Sequence, residues 1–192
     1  MATVPSPIIT MQRYLQLDRQ SERPSEYYDG EMFPIAESSL SHVRIQGNLY
    51  GSLRERLEDR SCEALLSPLR VRIPHSQKYC YPDLIVACGG LELEDNEHDT
   101  LLNPTVLIEI LSPSTADFDS GEKFRLYRSI PTFKEYVLVS QDRVLIERFH
   151  RQNEKNWHFE TISDLDATLR LESIDVAVPM REIYAKVEFP KD

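Results

Sequence analysis

The stretch PTVLIEILSPST, residues 104–115, decides the fold, because it sets one carboxylate, Glu109, inside an apolar run. Val106, Leu107, Ile108, Ile110 and Leu111 read as a strand covered on both faces, the pattern of an interior strand in an α/β sheet. Side chains alternate along a strand, so Glu109 shares a face with Leu107 and Leu111, while Ile108 and Ile110 point the other way. Glutamate is almost never fully buried unless paired, and an isolated charge in a low-dielectric interior is prohibitive. The chain must therefore supply Glu109 with a cation, a proton or several hydrogen bonds.

Downstream, Asp117, Asp119 and Ser120 offer N-caps for a helix predicted to run to about Ile130, where Pro131 stops it. Lys123, Leu126, Tyr127 and Ile130 have the spacing of one helical face, so Lys123 leans inward while Arg125 and Arg128 point elsewhere. A hairpin follows, KEYVLVS then VLIERFH, turning at Gln141 and Asp142. The connection between residues 111 and 134 is long enough for a βαβ crossover. The tail, with WHFETI, ATLRLES and VPMREIYAKV, reads as edge strands and a small closing helix.

Upstream, Pro82 and Asp83 open a compact apolar strand, DLIVAC, ended by Gly89 and Gly90. The LELEDNEHD that follows reads as a solvated loop without function. Two short strands are expected around residues 62–66 and 69–73. Residues 38–59 have helical periodicity, with Val43, Gly47, Tyr50, Leu53 and Leu57 on one stripe flanked by His42, Ile45 and Leu49. In EYYDGEMFPIA, Asp29 and Gly30 between β-prone runs signal a hairpin that puts Glu31 at the start of the returning strand. Before it, Thr10 caps a short helix carrying Met11, Tyr14, Leu15 and Leu17, read as an appendage. The sum is an α/β fold with a mixed central β-sheet flanked by helices, in one domain over residues 1–192.

Composition bounds the function. The 192 residues are 41% hydrophobic and 28% charged, ordinary for a globular chain with a sizeable core. A formal net charge of -10 offers nothing to a membrane surface or to nucleic acid, so a polyanion must be met by a metal or a local basic patch. Residues 44–78 hold seven Lys or Arg against four Asp or Glu, the one basic stretch, with Arg54, Arg56 and Arg72 as candidate contacts. Cys62, Cys80 and Cys88 form no CxxC pair and are odd in number, which predicts free thiols in a reducing cytosol. No apolar run approaches the roughly 20 residues of a membrane span, and a cytoplasmic location is expected.

Asp83 and Glu109, on neighbouring strands, converge on a space suited to Mg²⁺, a hard ion that binds oxygens and keeps waters. Lys123 is the basic residue placed to approach them, orienting water or offsetting developing negative charge. Glu31 and His42 complete the candidate shell. Each residue also has a plainer reading: Asp83 as a turn residue, Glu109 as a strand end that reaches solvent, Lys123 as a surface side chain with a buried stem, His42 as a capping residue or one behind the site, Glu31 as part of a hairpin, Asp117 and Asp119 as caps rather than carboxylates that tune Lys123, and Trp157, Tyr127 and Tyr136 as core or interface aromatics.

The combination resembles the restriction-endonuclease-like PD-(D/E)xK nucleases, and more closely a bacterial family of proposed endonucleases formerly classed as a domain of unknown function. The matching pieces are YYDGE, SHVRI, YPDLIV, VLIEILSPST, DSGEK with RLYRSIP, and KEYVLV, over roughly residues 25–150. The resemblance implies a restriction-endonuclease-like core with an N-terminal hairpin and C-terminal edge strands. It implies a Mg²⁺- or Mn²⁺-dependent endonuclease cutting DNA, with Asp83 and Glu109 as metal ligands, Lys123 as the catalytic lysine, Glu31 a further acid and His42 near the site. The superfamily's lysine stands two positions after the acid, where this chain has Leu111, whose backbone carbonyl remains available to the metal. A homodimer would suit cutting of two strands. Two alternatives stay open: a weak or inactive nuclease-fold module for nucleic-acid binding or oligomerisation, and a metal phosphodiesterase acting on small substrates.

Overall fold

The structure is a computed structural model that describes residues 8–112 and 118–190. Its elements begin with α1 (Met11–Gln20), β1 (Ser25–Tyr28), β2 (Glu31–Pro34), α2 (Leu40–Leu57), β3 (Cys62–Leu66), β4 (Arg70–Ile73) and β5 (Lys78–Cys80). Next come β6 (Leu84–Cys88), β7 (Thr100–Leu101), β8 (Pro104–Leu111), a π turn (Asp119–Lys123) and α3 (Phe124–Tyr127). The chain ends with β9 (Glu135–Ser140), β10 (Ile146–Arg151), β11 (Trp157–Ile162), β12 (Thr168–Leu171), β13 (Val176–Pro179) and α4 (Met180–Ile183).

The run at 104–111 is an interior strand, as its composition predicts. β8 is buried over all but its last residue, antiparallel to β6 and parallel to β9 in a six-stranded mixed sheet of order β11-β10-β9-β8-β6-β3. Ile108 and Ile110 pack with Ile45, Leu49 and Leu53 of α2 on one face. Leu107 and Leu111 pack with Tyr127, Ile130 and Tyr136 on the other, the face of Glu109. A second sheet of order β2-β1-β5-β4-β7 carries the hairpin, where Asp29 and Gly30 take the positive φ values a two-residue turn demands. Among the described residues, no helix is long and apolar enough to cross a membrane.

Several expectations are corrected. The buried stripe of α2 is His42, Ile45, Leu49, Leu53 and Leu57, while Val43 is 52% exposed, because the sheet meets the helix along the flank of the expected stripe. The crossover is not one helix to Ile130: the π turn gives way to α3, which ends at Tyr127. Asp119 is no cap but a buried partner of Lys123, and Asp117, with residues 113–115 of SPST, lies outside the described residues. Cys62 and Cys88 are not free thiols. The antiparallel register of β3 and β6 sets them opposite each other, and they form a disulfide; Cys80 alone is free and buried.

The acidic loop after Gly90 is solvated at Leu91, Glu92 and residues 96–98, as expected, but is also tied down, with Arg19 on Asp95 and Asp99, and Arg72 on Glu94. Nor is α1 an appendage. Tyr14 is fully buried and stacks on Tyr27 at 4.8 Å, and Asp18 pairs with the buried Arg70 at 2.6 Å. The Tyr14 hydroxyl donates to the Ser25 carbonyl at 2.6 Å. Tyr14→Phe should therefore lower unfolding free energy by about 1 kcal/mol in urea denaturation. A helix merely appended would register no change.

The basic stretch is largely spent inside the molecule. Arg44 pairs with Glu188, Arg56 with Glu182, Arg70 with Asp18 and Asp99, Arg72 with Glu94 and Lys78 with Asp29. Arg60 donates to the Ile174 and Asp175 carbonyls. Sequence spacing counts charges, whereas surface charge depends on what each side chain folds against.

Candidate active site

Glu109 lies at the centre of the sheet, 3% exposed, with its side chain on the crossover side. Its Oε1 accepts from the Lys123 ammonium at 3.2 Å and from the Tyr127 hydroxyl at 3.0 Å, and its Oε2 makes no hydrogen bond among the described residues. Lys123 and Tyr127 stand four residues apart at the junction of the π turn and α3, so both reach β8 from one side. The compensation demanded by burial is thus a lysine and a phenol.

Lys123 is itself 5% exposed and meets two further carboxylates, Glu26 of β1 at 3.0 Å and Asp119 at 3.0 Å. Alternation on β1 sends Glu26 and Tyr28 to this side, while Ser25 and Tyr27 face α1. Burial alone would lower the Lys123 pKa, yet Glu109, Glu26 and Asp119 hold it well above the ordinary lysine value. Burial raises the Glu109 pKa well above the carboxylate range; Lys123 opposes this, and Asp119, Asp83 and Glu26 add to it. One buried ammonium therefore faces more carboxylate than it can neutralise.

Asp83, just before β6, is fixed at both oxygens. Oδ2 accepts the Ile110 N–H at 2.7 Å, locking it beside the strand of Glu109, and Oδ1 lies 3.0 Å from His42 Nε2. The Gln46 side chain holds the Asp83 carbonyl at 3.0 Å. Ser39 caps α2 by accepting the His42 N–H, which sets the first turn so that the imidazole points at Asp83. Asp83, Glu109, Lys123 and His42 all line one cavity of about 500 Å³.

The structure thus brings together four of the residues singled out from sequence and leaves two aside. Glu31 is exposed and does not line the cavity: it shares the face of its register partner Tyr28 and of Phe33 but sits beside the turn, and the hairpin's carboxylate at the cavity is Glu26. Leu111 is half-buried, packs with the Leu107 side and does not line the cavity, whereas Ile110 does. Sequence reading missed Glu26 and Tyr127 as members of the cluster, and it favoured a cap for Asp119 over the alternative of a carboxylate tuning Lys123, which is where the structure places it. Tyr127 carried a legible signal, since a buried tyrosine hydroxyl needs a partner and this one follows Lys123 by one turn. Glu26 had only its two-residue spacing from Tyr28.

A family model described as "Uma2: Putative restriction endonuclease" matches residues 11–180. The chain belongs to the Uma2 family. Two proteins of Synechocystis sp. are similar to this Uma2 chain: sll1609 is 35% identical over 157 residues, 82% of this chain and 89% of that one. The other, slr1290, is 30% identical over 187 residues, 97% of each. A crystal structure from Anabaena variabilis, described as "a putative nuclease belonging to DUF820", superposes with a TM-score of 0.75 at 19% identity, covering 92% of this chain and 98% of that chain. The fold is restriction-endonuclease-like, as the resemblance implied.

Proposed function

We propose that this chain is a divalent-metal-dependent nuclease that hydrolyses DNA phosphodiester bonds at the cluster of Asp83, Glu109 and Lys123. The observation that carries the reading is the surplus of carboxylate around one buried lysine, beside an aspartate clamped at both oxygens. A purely structural ion pair needs one acid, and burying more charge than is paired costs stability. The family description and the Anabaena protein's description as a nuclease point the same way.

The donor set fits a hard divalent ion. Among the described residues no group of three or more His, Cys, Asp or Glu side chains is arranged for a metal, but Mg²⁺ is held by one or two carboxylates and retained waters. Asp83 and Glu109 would be those carboxylates, Glu109 meeting Lys123 and Tyr127 through Oε1 among the described residues. When bound, such an ion lowers the pKa of water and offsets charge on the phosphate.

The side chains share the remaining work. Lys123 is the group to orient the attacking water and to offset charge developing on the phosphoryl oxygens as the P–O bond to the leaving sugar oxygen breaks. Glu26 and Asp119, each 3.0 Å from its ammonium, hold it in position beside Glu109. His42 is a positioning residue: it fixes the Asp83 carboxylate. His42→Ala should therefore reduce activity about 10- to 100-fold and raise the metal concentration needed for half-maximal cleavage. Unchanged metal dependence would remove His42 from the site.

The test of the function is nicking of supercoiled plasmid with Mg²⁺ or Mn²⁺, with and without chelator, beside Asp83→Asn. Metal-dependent nicking that chelator and the substitution both abolish is expected. Nicking that survives either one refutes the reading. Absence of nicking in the wild type favours the non-catalytic module, a reading consistent with leucine at 111 in place of the superfamily's lysine.

A further inference from the structure

We propose that the cavity accepts an unpaired nucleobase beside the acid and lysine cluster, so that the substrate is single-stranded or locally unpaired DNA. This rests on the nuclease reading above and names its substrate class.

One wall of the cavity is aromatic, with Tyr28 and Phe33 from the hairpin that supplies Glu26 and Phe118 from the crossover just before the π turn. Phe33 stands opposite Glu26 in the β1–β2 register. Tyr28, two residues after Glu26, meets Phe33 edge-on at 5.7 Å and Phe118 at 5.3 Å with an interplanar angle of 88°. The Tyr28 hydroxyl donates to Glu26 Oε2 at 2.8 Å, which ties the rings to the carboxylate that holds Lys123. The aromatic wall is therefore linked to the cluster through Tyr28 and Glu26.

These rings are costly where they stand. Phe33 is 45% exposed and Phe118 39%, and Ile35 of the same wall is 37% exposed, although most large apolar side chains here are in the core. Exposed apolar surface gathered in one concave site marks a ligand surface. A base within a duplex already has neighbours on both faces, whereas an unpaired base offers a free face to an aromatic ring.

Charge argues for recognition through bases rather than phosphates. Arg44, Arg56, Arg70, Arg72 and Lys78 are occupied by carboxylates of the chain itself. Glu37 and Glu122 also line the cavity, and the chain carries a net charge of -10. A phosphate-clamping protein shows a steep loss of affinity with salt; affinity drawn from stacking gives a shallow one.

The test is fluorescence anisotropy, in chelator so that nothing is cut, with a labelled single-stranded deoxyoligonucleotide and the same strand annealed to its complement. The single strand should bind about tenfold more tightly, with a shallow salt slope, and Phe33→Ala or Phe118→Ala should each weaken it by about tenfold. Phe33→Tyr, which keeps the ring, should restore binding. Both positions are exposed, so circular dichroism should show each variant folded. Equal or tighter duplex binding, or alanine variants that bind as wild type does, overturns the inference. Metal-dependent cutting of duplex and single strand alike, unaffected by the alanine substitutions, overturns it too and leaves the nuclease reading standing. Ring-dependent binding of single strands without metal-dependent cleavage does the reverse: it refutes the nuclease reading and retains the base-binding cavity.

Discussion

Replacing Lys123 by alanine should lower the stability of the chain by about 3–5 kcal/mol at neutral pH and abolish its cleavage of DNA. The size follows from what the substitution leaves behind. Lys123 is 5% exposed and is the shared cation of Glu26, Glu109 and Asp119, all at 3.0 to 3.2 Å. Without it, three carboxylates face one another uncompensated, and Glu109, already raised by burial, loses the cation that opposes the rise. The folded state then binds more protons than the unfolded state, so the loss should shrink as pH falls and grow as pH rises. In the wild type, the raised Lys123 pKa gives a contribution fully present below the ordinary lysine value, lost only as pH rises through the raised one. Urea denaturation of both proteins at mildly acidic and neutral pH reads this directly. A variant as stable as the wild type at neutral pH would mean the ammonium is not the cluster's counter-ion.

Glu109→Gln should separate activity from stability. The amide keeps the shape of the side chain and a hydrogen-bonding oxygen, but a neutral amide is a poor ligand for a hard cation. Cleavage should fall about a hundredfold or more, with a matching loss of Mn²⁺ affinity by calorimetry. Stability at neutral pH should hold or rise. Burial raises the Glu109 pKa, with Asp119, Asp83 and Glu26 adding to it against Lys123, so the folded chain takes up a proton and stability declines as pH rises above the carboxylate range. The glutamine variant lacks that decline, and its stability profile should be flatter. A variant that is both inactive and strongly destabilised would mark Glu109 as structural.

Much of this was legible in the sequence, for reasons that can be traced. The strand at 104–111 is apolar on both faces, so its interior place and the alternation that sends Glu109 to the side of Leu107 follow from composition and period alone. Asp83 and Lys123 stand at a strand start and on a helical face that the pattern marks. Glu26 was harder, because Glu26 and Glu31 fall on one face of the same hairpin and only their position along it decides which lies at the cavity. The stripe of α2 was read one flank away, since Val43 is as apolar as Ile45 and the sheet chooses. Cys62 and Cys88 are 26 residues apart, and their pairing depends on a register that only the folded sheet fixes. Charge counting along the basic stretch could not show that five of its cations pair with acids from distant parts of the chain.

The central claim is that the carboxylates of Asp83 and Glu109 bind a divalent ion that the nuclease reaction uses. Its most direct measurement is a crystal soaked in Mn²⁺ and read by anomalous scattering. The account predicts a single strong peak in contact with one oxygen of Asp83 and one of Glu109, lost in Glu109→Gln crystals soaked in the same way. A cavity with no peak, or a peak elsewhere while Glu109 remains closed on Lys123, would contradict it.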